Sequence, residues 1–126
     1  MLNKCVLMGR LTRDPEVREV GDSKVANFSI AVDRDVKNKQ TGERETDFID
    51  CTAWGGRAVF VENYFRKGSM IVVSGRLQMR KWEDKDGNKR VSAEIRVDDA
   101  YFGESKQGGS GLEGFAPVGS DDDVPF

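Results

Sequence analysis

The chain has 126 residues, 37% of them hydrophobic and 33% charged, a size that allows one small domain with an extension. It contains no histidine, two cysteines and no run of about 18 apolar residues, which argues against a zinc site, a histidine-dependent enzyme and a membrane span. We therefore expect a cytoplasmic protein that is not an enzyme and needs no metal or cofactor, with Cys5 and Cys51 as reduced thiols.

The net charge of −2 is unevenly distributed along the chain. Residues 103–126 contain five acids and one base, whereas residues 1–102 contain 19 bases and 17 acids. Six of the last 24 residues are glycine, and the segment has no helical or strand periodicity. Such a segment buries too little surface to offset the entropy of ordering. The sequence predicts one domain over 1–102 and a disordered acidic tail over 103–126.

Five strands and one helix are predicted in the domain. Alternating apolar residues and turn signals place the strands at 3–11, 24–33, 46–54, 69–80 and 89–98. Between the third and fourth strands, Ala58, Val61 and Phe65 have helical spacing, and Gly68 is assigned as the C-cap. This order is the layout of the OB-fold, an all-β five-stranded barrel whose outer face commonly binds oligonucleotides.

The third predicted strand has two chemically different faces. Ile49, Cys51 and Ala53 share one face through the period of two, so we expect them to point into the core. Phe48 and Trp54 then lie on the opposite, solvated face. Large rings exposed in this way indicate a contact surface.

The other strands add cations and a second tryptophan to the outer side. The side chains expected in the core are Cys5, Leu7 and Leu11 of the first strand, Ile71, Val73, Leu77 and Met79 of the fourth, and Val91, Ala93, Ile95 and Val97 of the fifth. The outward set contains Trp82 with Lys4, Arg10, Arg76, Arg80, Arg90 and Arg96. Cations bind phosphates and flat rings stack on unpaired bases, so this mixture favours single-stranded nucleic acid. The alternative is a solvated face whose rings lie under a loop, a helix or another subunit.

Apolar side chains also point outward, Val6 and Met8 on the first strand and Met70 and Val72 on the fourth. Exposed apolar clusters usually mark contacts, so we expect self-association through these strands. The alternative is that the helix or a loop covers them.

Five segments of the domain and the last six residues resemble the bacterial-type single-stranded DNA-binding proteins, chromosomal or phage. The segments are NKCVLMGRLTRDPEVR, VANFSIAV, TDFIDCTAWG, YFRKGS and GRLQMRKW, followed by DDDVPF at the end of the chain. The resemblance implies a homotetramer that wraps and protects single-stranded DNA without sequence preference during replication, recombination and repair, at the nucleoid in the cytoplasm. It places Phe48, Trp54 and Trp82 at base-stacking positions. A further aromatic of some members corresponds here to Val36, beside Lys37 and Lys39.

The end of the chain resembles the segment with which this family recruits replication, recombination and repair proteins. We call it the acidic tip; it comprises Asp121, Asp122, Asp123, Val124, Pro125 and Phe126. Its carboxylates suit a basic rim and its terminal ring suits an apolar pocket. Two other functions remain as alternatives: an oligomeric OB-fold protein-interaction module with a recruiting tail, and an RNA binder of cold-shock type.

Overall fold

The structure, a computed structural model, describes residues 1–104; residues 105–126, with most of the predicted tail, lie outside the described part. The elements are β1 (Cys5–Leu11), β2 (Glu16–Val20), β3 (Ser23–Lys37), β4 (Arg44–Trp54), α1 (Gly56–Tyr64), β5 (Met70–Glu83) and β6 (Lys89–Phe102). Within residues 1–104, no helix is long and apolar enough to cross a membrane.

All six strands belong to one sheet, in the order β1-β5-β6-β4-β3-β2. The sheet closes because β1 also pairs with β3, where Arg10 lies opposite Ala31 and Leu11 opposite Ile30. Strands β1, β5, β6, β4 and β3 therefore form a closed five-stranded barrel, and the β4–β6 pairing is parallel. This barrel confirms the predicted OB-fold, with the helix between its third and fourth strands.

The strand β2 was not predicted, because residues 12–23 read as a connection. It is short and mostly charged, and of its five residues Val17 packs against the core. The strand forms through antiparallel pairing with β3, from Glu16 opposite Asn27 to Val20 opposite Ser23. Backbone pairing, rather than a fully buried face, holds β2 in the sheet, so the sequence of β2 shows no alternation of apolar and polar residues.

The core fills the barrel and extends to the helix. Its largest fully buried side chains are Phe28, Phe65, Ile30, Ile71, Val25, Val61, Val73 and Cys51. The predicted helical spacing is confirmed, because Ala58, Val61 and Phe65 are all buried. The predicted C-cap at Gly68 is wrong: Phe65 is the C-cap, and its amide donates a hydrogen bond of 3.1 Å to the Val61 carbonyl. Gly68 lies in the following turn with φ +89°.

Beyond the barrel, β5 and β6 continue as a two-stranded hairpin over residues 76–93. Leu77, Met79 and Val91 are 42%, 57% and 59% exposed, and Ala93 is also exposed. The prediction that these four lie in the core is wrong. β1 pairs with β5 no further than Gly75, and β4 pairs with β6 at 94–96, so the hairpin has no neighbouring strands among residues 1–104 to enclose either face.

Candidate nucleic-acid interface

A groove of about 400 Å³ lies on the outer side of the barrel and is lined by residues of β2, β3, β4, β5 and β6. Four guanidinium groups and three carboxylates line it: Arg13, Arg18, Arg80 and Arg96, with Glu16, Asp50 and Glu94. Trp54, at the end of β4, contributes an aromatic ring to the same wall. The groove thus combines positive charge with a flat apolar surface.

Trp54 is held beside a cation. The residue is 41% exposed, and the guanidinium carbon of Arg96 lies 5.7 Å from the ring centroid. Arg96 comes from β6, which runs parallel to β4 and places Arg96 opposite Thr52. A guanidinium over an indole is attracted by the negative ring face. The pairing positions a stacking surface and a phosphate-binding group next to each other.

The other two predicted rings lie outside the groove. Phe48 is 70% exposed and shares the outer face of β4 with Asp50 and Thr52, both of which line the groove. Trp82 is 42% exposed on the hairpin, and its indole Nε1 donates a hydrogen bond of 2.7 Å to Ser92 Oγ. Both rings of β4, Phe48 and Trp54, therefore lie on the outer, solvent-exposed side of the barrel, as the alternation of the strand predicts.

The predicted cations are divided between two sides of the barrel. Arg80 lies in the groove, and Arg76 is exposed on β5 opposite Arg96. Lys4 and Arg10 instead belong to the β1 side with Val6 and Met8. Their partners there are Asp98, 4.0 Å from Lys4, and Glu104, 3.4 Å from Arg10. The structure does not bring Lys4 and Arg10 into the groove.

The sequence reasoning missed several groove residues. Arg13 and Arg18 lie just before and within the unpredicted strand β2, and they reach the groove because β2 pairs with β3. Glu94 on β6 was not singled out either, and it pairs with Arg80 over 3.4 Å. A charged residue in an outward position is the only signal the sequence offers for such contacts.

The fold and the groove together define an oligonucleotide-binding barrel, a class of protein that holds nucleic-acid strands on the outer face of an OB-fold. Residues 2–103 match the model of the Single-strand binding protein family, and the chain belongs to this family. Membership makes it a binding protein and not an enzyme.

Relatives match over most of the chain. A single-stranded DNA-binding protein of Halalkalibacterium halodurans is 42% identical over 97% of this chain and 79% of its own length. One from Caldanaerobacter subterraneus subsp. tengcongensis is 38% identical over 100% of both chains. The single-stranded DNA-binding protein A of Bacillus subtilis is 45% identical over 91% of this chain and 67% of its own length.

Proposed function

We propose that the protein binds single-stranded DNA through the groove without sequence preference, and that it wraps and protects the strand during replication, recombination and repair at the nucleoid. The observation that carries this proposal is the pair formed by the exposed ring of Trp54 and the half-buried Arg96. This pair lies beside Arg13 and Arg18, and Arg13, Arg18 and Arg96 form no ion pair within residues 1–104. Free guanidinium groups attract phosphates, and a ring stacks on any base because every base has a π face.

The strand would leave the groove in two directions. Phe48 continues the outer face of β4, while Arg76 and Trp82 continue that of β5 along the hairpin. The hydrogen bond from Trp82 to Ser92 restricts its ring and lowers the entropy cost of stacking. Lys4 and Arg10 would serve as phosphate contacts for a strand that passes round the barrel to the β1 side.

Titration with oligo-dT tests the proposal, because the two tryptophans are exposed and stacked bases should quench their fluorescence. Trp54→Ala and Trp82→Ala should each weaken binding by about 1–3 kcal/mol, the range known for base–aromatic stacking in single-strand-binding proteins as a class. Log K should fall against log salt by about 0.7 for each phosphate neutralised. Tyr64→Ala, which removes an exposed ring of α1, should leave the affinity unchanged.

The same titration separates the alternatives. If neither tryptophan variant changes the affinity, base stacking on Trp54 in the groove and on Trp82 of the hairpin is contradicted. An unchanged fluorescence signal would favour the protein-interaction module, and a preference for oligo-rU over oligo-dT would favour the RNA binder.

We also propose that the protein self-associates, most simply as a homotetramer. Val6, Met8 and Tyr101 are 64%, 54% and 53% exposed. In the ladder Met8 lies opposite Val72, and Val72 lies opposite Tyr101. Val6 lies two residues before Met8, on the same face of β1, so Val6, Met8, Val72 and Tyr101 form one apolar patch across β1, β5 and β6. Neither the helix nor a loop of residues 1–104 covers the patch enough to bury these side chains. Water-exposed apolar surface of this kind favours a contact with a second copy.

The acidic tip lies outside the described residues, and we propose that it recruits replication, recombination and repair proteins. Its three aspartates would face a basic rim of the partner, with Phe126 in an apolar pocket. A chain that ends at Ser120 should bind oligo-dT as well as the full chain, or slightly better at low salt, and should lose co-sedimentation with a purified partner. A large loss of DNA affinity would contradict the proposal that the domain binds DNA and the acidic tip binds partner proteins.

A further inference from the structure

One carboxylate of the groove is far less accessible than the cation it pairs with. The side chain of Glu94 is 15% exposed, the lowest value among the ion-paired carboxylates of residues 1–104. One of its oxygens lies 3.4 Å from Arg80 Nε, and the other lies 3.3 Å from the Thr52 hydroxyl. Its place on β6, opposite Asp50 of β4 and Gln78 of β5, fixes it in the groove wall.

The two partners of this ion pair differ in freedom. The Arg80 side chain is 58% exposed, so its guanidinium can turn toward a ligand in the groove. The Glu94 side chain is largely buried and accepts a hydrogen bond from Thr52, so it has less freedom to move than Arg80. A phosphate bound at Arg80 would therefore remain close to a fixed negative charge, and like charges in a partly desolvated site repel one another.

We propose that Glu94 acts as an internal counter-ion that limits the affinity of the groove for single-stranded DNA. It neutralises Arg80 in the free protein and repels the phosphate that would replace it. This inference rests on the proposed function and names a residue that sets the affinity of the groove for DNA. Arg13, Arg18 and Arg96 supply the attraction, and Glu94 makes the strand easier to release.

Glu94→Gln tests the inference, because glutamine has nearly the same size and keeps an oxygen that can accept from Thr52. The variant should bind oligo-dT about tenfold more tightly at low salt, since it removes one negative charge next to the bound phosphate. The slope of log K against log salt should become more negative by about 0.7, the value of one further neutralised phosphate. Fluorescence titration at several salt concentrations measures both quantities.

Two controls separate charge from structure. Glu94→Asp keeps the charge and should keep the wild-type slope. Asp99→Asn breaks another carboxylate–arginine pair of β6, with Arg57 at 3.1 Å, outside the groove, and should change neither affinity nor slope. Stoichiometric titration gives the active fraction of each sample, so partial misfolding changes the end point and leaves the slope interpretable.

Equal affinity and equal slope for wild type and Glu94→Gln would overturn the inference while leaving DNA binding intact. Weaker binding by Glu94→Gln would also overturn it, since Glu94 would then serve to hold the groove in shape. Failure of the wild type to bind oligo-dT would instead defeat the proposed function.

Discussion

Burial gives Cys51 a chemical character that Cys5 does not share. Cys51 is 1% exposed within β4, and burial, with smaller contributions from the charges of Asp50 and Glu94, raises the pKa of its thiol from 9.0 to about 12. Cys5 is half-buried at the start of β1. Because the thiolate is the reactive species, Cys51 should be inert in the folded protein.

A thiol reagent at about pH 8 should therefore modify Cys5 in the folded protein, and Cys51 after unfolding. Mass mapping of labelled peptides, with and without denaturant, measures this difference. Folding raises the pKa of Cys51, so the thiol loses its proton more readily in the unfolded chain than in the folded protein. The contribution of Cys51 to the free energy of unfolding is therefore fully present below pH 9.0 and is lost as the pH rises toward 12. Equal labelling rates for the two cysteines would contradict the burial of Cys51.

The sequence predicts which aromatic side chains point outward, but it does not predict which charged side chains lie beside them. The alternation of β4 predicts that Phe48 and Trp54 are exposed. The prediction holds because β4 is part of the barrel, with β3 on one side and β6 on the other, and has one face toward the core. Nothing in the sequence connects Trp54 with Arg96, or Arg80 with Glu94. Those contacts depend on which strands lie side by side.

At the scale of elements, β5 and β6 show where alternation stops predicting burial. Ile71, Val73 and Ile95 are buried as expected, whereas Leu77 and Met79 continue the same period into solvent. A period of two identifies a strand and its two faces. The point at which β5 and β6 leave the barrel depends on how far β1 and β4 pair with them. The period of two gives no information on that pairing.

The β5–β6 pairing contains one position that only glycine fits. The register shifts between Ser74 and Gly75, and a Cβ at Gly75 would lie 2.1 Å from the carbonyl oxygen of Arg96, a backbone atom. Gly75→Ala would have to displace β6, so we expect it to lower the free energy of unfolding by about 1–3 kcal/mol, measured by urea denaturation.

Gly56→Ala is the matched control for this prediction. Gly56 lies in the first turn of α1, and a Cβ there would meet no atom within 4 Å. The change should be neutral or stabilise the protein by up to about 1 kcal/mol. If Gly75→Ala unfolds at the same urea concentration as wild type, the close approach of β5 and β6 does not constrain the barrel.

At the scale of the whole molecule, the apolar patch predicts how copies associate. Met8→Glu places a charge at its centre, and burying an unpaired carboxylate is costly, so this variant should sediment as smaller species at micromolar concentration. Met79→Glu is the control: Met79 is 57% exposed, close to the 54% of Met8, but it lies on the hairpin. A wild-type monomer at micromolar concentration would refute self-association.

The succession of barrel strands along the chain, the position of the helix, the core face of β4 and the family could be predicted from the sequence, because periodicity, turn residues and motifs are local properties of the chain. The folded structure was needed to show that β2 joins the sheet, that the hairpin is exposed on both faces, and that Lys4 and Arg10 lie away from the groove. It was also needed to reveal the ion pair between Arg80 and Glu94. These features arise from contacts between residues far apart in the chain, and they exist once the barrel has closed.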